Sequence, residues 1–149
     1  CFPFLPAPLP LSTPGVAGRF FWRRSTVSRP ARDNARRTGP ALEKAYQFML
    51  WLVPTVEKFP RSQKFLLGDR MQGAALDVIE DLIEATYTKD GRAALRRANL
   101  KLQKLRYLFR IAKDLRHLDP RRYEHAARAL EEIGRLVGGW IKANHAQTA

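Results

Sequence analysis

Cysteine is nearly missing from this sequence: Cys1 is the only one, so neither an internal disulfide framework nor a cysteine-based zinc site can be built. A mature lipoprotein also begins with Cys, but nothing else in the chain supports that assignment, and a lone thiol reads as a protein of a reducing compartment. Long apolar runs are missing too. No stretch approaches the ~18 consecutive apolar residues of a membrane span, so the expectation is a soluble, cytoplasmic protein without a membrane-embedded part.

Catalytic patterns are equally scarce. His117, His125 and His145 form neither HExxH nor another familiar ligand spacing, and no Ser-His pair or glycine-rich phosphate loop accompanies them. Asp77, Asp81 and Glu84 could converge on a metal as nuclease carboxylates do, but at helical spacing they read as a solvated face. No catalytic, metal or cofactor site is expected, and the chain reads as a non-enzyme.

Acidic residues are outnumbered: 14 Asp and Glu stand against 27 Lys and Arg, a formal charge of +13 on 149 residues. An excess of that size points to a polyanionic partner. Residues 1–39 carry +6 and the remainder +7, so the part with folding potential is basic in its own right.

Residues 1–39 form a Pro- and Arg-rich extension, with prolines at 3, 6, 8, 10, 14 and 30 opposing helix and sheet alike. The prolines interrupt any secretory core, and the segment has no initiator Met. It reads as disordered, consistent with translation from upstream of the true start; its functional alternative is a basic arm gripping nucleic acid.

Beyond Gly39-Pro40 the apolar residues recur every three or four positions, predicting one domain over 40–142 and a short tail over 143–149. Leu42, Ala45, Met49, Leu52 and Val56 mark a first helix, with Phe48, Leu50 and Trp51 off its stripe, so that it should be buried on most sides. Pro54 should kink its last turn and Phe59-Pro60 end it. A second helix over 61–87 places Phe65, Gly68, Ala75, Leu76, Ile79, Leu82 and Ile83 on one face and Asp69, Asp77, Glu80 and Glu84 on another. The turn Thr88-Lys89-Asp90-Gly91 leads into a third helix with the seam Leu95, Ala98, Leu102, Leu105, Phe109 and Ala112. Asp119 as N-cap and Pro120 as first helical residue open a fourth, with the seam Tyr123, Ala126, Leu130, Ile133, Val137 and Trp140. Short connections force antiparallel neighbours. The fold class is all-α, an up-down-up-down four-helix bundle.

The third helix concentrates the charge, with ten Lys or Arg against two Asp over residues 89–116. Arg92, Arg96, Arg106 and Arg110 fall on one flank of its seam, and Arg97, Lys101 and Lys104 on the other. On the fourth helix Arg121, Arg128, Arg135 and Lys142 repeat every seven residues. Rows of guanidinium groups pair with phosphates and release counterions, although such rows can equally be solvated faces. Leu100, Tyr107 and Ile111 make a second apolar stripe, suited to another subunit or a partner protein or else ordinary surface. Gly134 and Gly138 form a small-xxx-small pattern that reads as close packing near a helix end.

The runs WLVPTVEKFPRSQKFLLGDRMQGAALDVIEDLIEATY (51–87), LRRANLKLQKLRYLFRIAKDL (95–115) and YEHAARALEEIGRLVGGWIK (123–142) resemble the accessory variability determinant (Avd) proteins of diversity-generating retroelements. Those belong to a wider four-helix-bundle family that includes proteins encoded in ribosomal RNA intervening sequences. The match covers about 40–142 and leaves the extension outside, which puts the start in doubt. It implies an accessory subunit that associates with the element's reverse transcriptase in mutagenic retrohoming, binds RNA or DNA, and assembles as a homo-oligomer, a pentamer by resemblance. The alternative is an intervening-sequence-type bundle with a structural or RNA-binding role. Candidate contacts are Arg61 in the FPRSQ loop, Arg96, Arg97, Lys101, Lys104 and Arg106 in the ANLKLQKLR block, and Arg92, Arg110, Arg128 and Arg135 from the basic rows.

Overall fold

The protein is described by a computed structural model, which covers residues 30–146, with side chains from residue 39 onward. The expected disordered extension therefore lies largely outside the described residues. Helix α1 spans Pro30–Val56 but is broken at Gly39, whose φ of 77° and ψ of 156° belong to a region open to glycine alone. The packed helix starts after that break, with Ala41, Leu42, Ala45, Phe48, Leu52 and Val56 buried. It continues through Pro54 to Val56, and the Thr55 hydroxyl, itself buried, donates to the Trp51 carbonyl at 2.8 Å. Burial on most sides does not occur: Tyr46 and Leu50 remain exposed, because α1 packs only against its two neighbours in the bundle and those cover one stripe.

The second bundle helix is irregular at its start. A single turn, α2 (Arg61–Gln63), passes into a π-helical turn over Lys64–Gly68 and then into α3 (Asp69–Tyr87). The wider turn shifts the helical phase locally and leaves Phe65 outside. Of the face read from periodicity, Gly68, Ala75 and Leu82 are buried and Ile79 packs on the core, whereas Leu76 and Ile83, on the regular α3, are corrected to the exposed side. Leu67, Met71, Ala75, Val78, Leu82 and Ala85 point into the core, while Phe65, Leu66, Leu76 and Ile83 are exposed. Gly68 sits where the turn meets α1, and a Cβ there would lie 2.4 Å from Val56 Cγ1.

Helices α4 (Arg92–Asp114) and α5 (Pro120–Ala146) follow the expected seams. Leu95, Ala98, Leu102, Leu105, Phe109 and Ala112 are all buried, as are Ala126, Leu130, Ile133 and Val137, with Tyr123 and Trp140 packed at the margin. Asp90 accepts from the Arg92 backbone N–H at 3.4 Å and its side chain at 3.1 Å; these hydrogen bonds hold its carboxyl below the usual carboxylate range. Asp119 caps α5, accepting from the Arg122 N–H at 2.9 Å. Between α4 and α5 the chain reverses with Arg116 at φ 61°, and the N–H groups of Arg116 and His117 bond back to Lys113 and Ala112, satisfying carbonyls that end the helix. Gly138 and Gly139 do not stop α5, which runs to Ala146 rather than to 142 as Ile141 still packs on the core.

The order of contact is cyclic: α1 touches α3 and α5, and α4 touches α3 and α5. That is an antiparallel four-helix bundle. The core centres on Phe109, against which Phe48 packs edge-on at 5.8 Å and Trp51 at 6.3 Å. Two glycines on the second bundle helix should respond oppositely. Gly68→Ala, which overpacks Val56, should cost about 1–3 kcal/mol, whereas Gly73→Ala, with nothing within 4 Å of its new methyl, should stabilise by about 0.5–1 kcal/mol. Urea midpoints at constant m-value measure both.

Candidate nucleic-acid interface

Helix α4 holds its apolar seam in the core, so its cations leave along the two grooves it shares with α3 and α5. The α3 groove is where charge meets charge. Asp81, buried on the face of α3 that meets α4, accepts from Arg97 Nε on Oδ1 at 3.1 Å and lies 2.9 Å from Lys101 Nζ through Oδ2. Arg97 also pairs with Glu84, and Lys101 lies 3.7 Å from Asp77. Asp77, Asp81 and Glu84 were read as solvent-facing; Asp81 is instead enclosed, because the phase of the second helix turns it toward α4.

The pairing sets the protonation of both cations. Burial opposes the charge on Lys101, yet its hydrogen bond to Asp81 and the Asp81 and Asp77 carboxylates outweigh that, and its ammonium titrates above the ordinary lysine range. Hydrogen bonds to Glu84 and Asp81 likewise hold the Arg97 guanidinium more firmly protonated. Arg97 and Lys101 thus both make ion pairs with α3. Lys104, on the same flank, takes part in no ion pair among the described residues.

The α5 groove is different. Arg106 reaches across to α5 and donates to the Leu130 carbonyl at 3.3 Å. Gly134 makes room for it, since a Cβ there would stand 2.9 Å from Arg106 Nη2. Arg110 has only a loose contact with Asp114 at 3.9 Å, Arg92 pairs with Asp90, and Arg128 pairs with Glu124 one turn back on α5. Such exposed pairs within one helix or turn are weak and exchange readily with a phosphate. Arg96 and Arg135 have no acidic partner among the described residues. Arg92, Arg96, Arg106, Arg110, Arg128 and Arg135 therefore gather on the outer side of the α4/α5 pair.

Arg61 stands apart, exposed in α2 near the connection to α1. Sequence reasoning did not assign the roles of two contributors. Lys113 lies over the Tyr123 ring at 4.8 Å, extending the cationic groove toward the α4–α5 turn, and Asp81 silences the other flank. The first was hidden because Tyr123 reads as seam; the second was signalled by a carboxylate directly beside Leu82 in an apolar stripe. Two histidines pack on aromatics: His125 lies 4.6 Å from the Trp51 ring and His117 6.2 Å from that of Phe59. Among the described residues no group of three or more His, Cys, Asp or Glu is placed to hold a metal, and no helix is long and apolar enough to cross a membrane.

The buried carboxylate makes the pair asymmetric. Replacing both Arg97 and Lys101 by Met strands the Asp81 charge and should cost about 3–5 kcal/mol. Asp81→Asn leaves two cations that are partly exposed and can be hydrated, and should cost only about 1–2 kcal/mol. Because the folded-state Lys101 is raised, its contribution is complete at neutral pH and is lost as pH climbs through the raised value, so the deficit of Lys101→Met should shrink only above about pH 10.4. Denaturant titrations at several pH values check each point.

No curated protein matches the chain. A family model described as bAvd-like matches residues 41–144, a span that begins where α1 enters the core and ends in the last turns of α5, so the chain belongs to the bAvd-like family.

Proposed function

We propose that the protein is a non-enzymatic accessory subunit of a retroelement reverse transcriptase, binding the RNA or DNA being copied through the outer face of α4 and α5. The observation that carries this reading is the one-sided distribution of available charge. Of the two flanks of α4, one is neutralised by α3 and the other keeps Arg96, Arg106 and Arg110 beside Arg128 and Arg135 of α5. Phosphates compete well for such groups, and their binding would weaken steeply with salt. Membership of the bAvd-like family and the resemblance to accessory variability determinants support the reading of a polymerase partner and a cytoplasmic setting.

The same reading makes the working unit a homo-oligomer, a pentamer by resemblance. Leu100, Tyr107 and Ile111 support it, standing exposed along α4 as a stripe that this bundle does not bury.

Two measurements test these points. Reversing Arg96, Arg110 and Arg135 to Glu should leave helicity and melting intact, weaken binding to a duplex at least tenfold, and reduce the slope of log K against log salt by about 2–3; an unchanged slope would mean the face is only solvated. Co-purification with the reverse transcriptase encoded beside this gene tests the partner, and nucleic-acid binding without any such association would favour the intervening-sequence-type role. For the assembly, Tyr107→Glu with Ile111→Glu should lower the mass seen by light scattering toward that of one chain, and an unaltered mass would remove this stripe from the interface.

A further inference from the structure

The cationic face is not flat. Between α4 and α5 a half-open groove of about 320 Å³ is lined by Arg106, Phe109, Tyr123, Ala127, Leu130 and Glu131. Its floor is apolar and partly aromatic, and its polar groups are of two opposite kinds. Arg106 has spent one guanidinium donor on the Leu130 carbonyl and keeps the others. Glu131 is exposed and has no ion-pair partner among the described residues, although Arg128 and Arg135 flank it on α5. Lys113 sits over the Tyr123 ring at the end of the groove nearest the α4–α5 turn.

We infer that this groove receives an unpaired nucleobase, so that the α4/α5 face selects single-stranded over duplex nucleic acid. The inference rests on the nucleic-acid reading of that face and specifies its ligand. The volume admits one base and its sugar but not a base pair, whose two bases are already stacked and paired inside a duplex and present only their edges in its grooves. An aromatic wall offers stacking to any base. The two polar groups then discriminate. Guanine presents the acceptors O6 and N7 on one side and the donors N1–H and N2–H₂ on another, so it alone gives Arg106 a paired acceptor edge while giving the Glu131 carboxylate two donors. Uracil and thymine offer Glu131 a single N–H. The flanking Arg110, Arg128 and Arg135 would carry the phosphates on either side.

Gly134 takes part in this arrangement. With a side chain there Arg106 would have to leave its place across α5, and the upper wall of the groove would go with it.

The test uses the full chain and labelled oligonucleotides: a 20-mer of uridine, the same strand with guanosines interspersed, and a duplex of equal length. Wild type should bind the guanosine-containing strand several-fold more tightly than the uridine strand. Ala127→Leu fills the groove without altering charge, and Tyr123→Ala removes its wall; each should weaken single-strand binding about tenfold while duplex binding stays within twofold. Glu131→Gln should erase most of the guanosine preference. Equal losses on single strand and duplex, or no loss from Ala127→Leu with circular dichroism unchanged, would overturn the groove while leaving the basic face as a nucleic-acid surface. If Ala127→Leu instead abolishes reverse-transcriptase binding and spares every oligonucleotide, the groove is a protein-docking site and the inference fails. Absence of binding to all three probes by wild type would remove the parent reading as well.

Discussion

A helix bearing eight net positive charges across its length and turns would not be held in a bundle by its charge; it is held by six residues that never see water. The Leu95–Ala112 seam of α4 is buried throughout, and each such side chain contributes about 1.5–3 kcal/mol of apolar transfer for the larger residues. Every other property of the protein follows from that anchorage. It fixes the rotation of α4, and the rotation decides which cations meet α3, which meet α5 and which apolar residues are left outside.

The buried Asp81 works within this frame rather than beside it. A carboxylate removed from water is tolerated only when paired and hydrogen-bonded, and α4 supplies Arg97 and Lys101 from successive turns of one flank. The pairing favours one register of α3 against α4, because a shift by one turn would leave Asp81 opposite only one of the two cations. It also engages those two cations inside the bundle, with the Arg97 side chain still nearly half exposed. The α5 side has no buried acid to meet, and a small residue, Gly134, lies where an opposing side chain would otherwise stand.

How much of this was legible beforehand differs between elements for physical reasons. The seams of α4 and α5 were readable because uninterrupted α-helix keeps a constant phase, and the Asp119–Pro120 start was readable because cap and first-turn preferences are local. On the second bundle helix Phe65 was misread because a π-helical turn over Lys64–Gly68 resets the local phase, whereas Leu76 and Ile83, on the regular α3, were misread because its apolar residues spread wider than the stripe its neighbours cover. Exposure of Leu50 was missed since a four-helix ring covers one stripe of α1, a property of neighbours rather than of α1 itself. The basic flanks were visible as charges, but their separation into one neutralised and one available could not be, because the acid that divides them lies on a different helix. The groove by Tyr123 had no linear signature at all; it is lined jointly by residues of α4 and α5.

The consequence of Asp81 extends beyond stability. A bundle neutralised on one flank and cationic on the other carries an electric dipole across its axis as well as a net charge. In the field of a polyanion such a body would experience a torque before contact, so in the proposed role encounters would begin with α4 and α5 already turned inward. Charge spread evenly around the same helices would attract as strongly from a distance and arrive in every orientation. In the proposed role, the α3 carboxylates, with the enclosed Asp81 at their centre, would thereby act on the geometry of approach from the far side of the bundle.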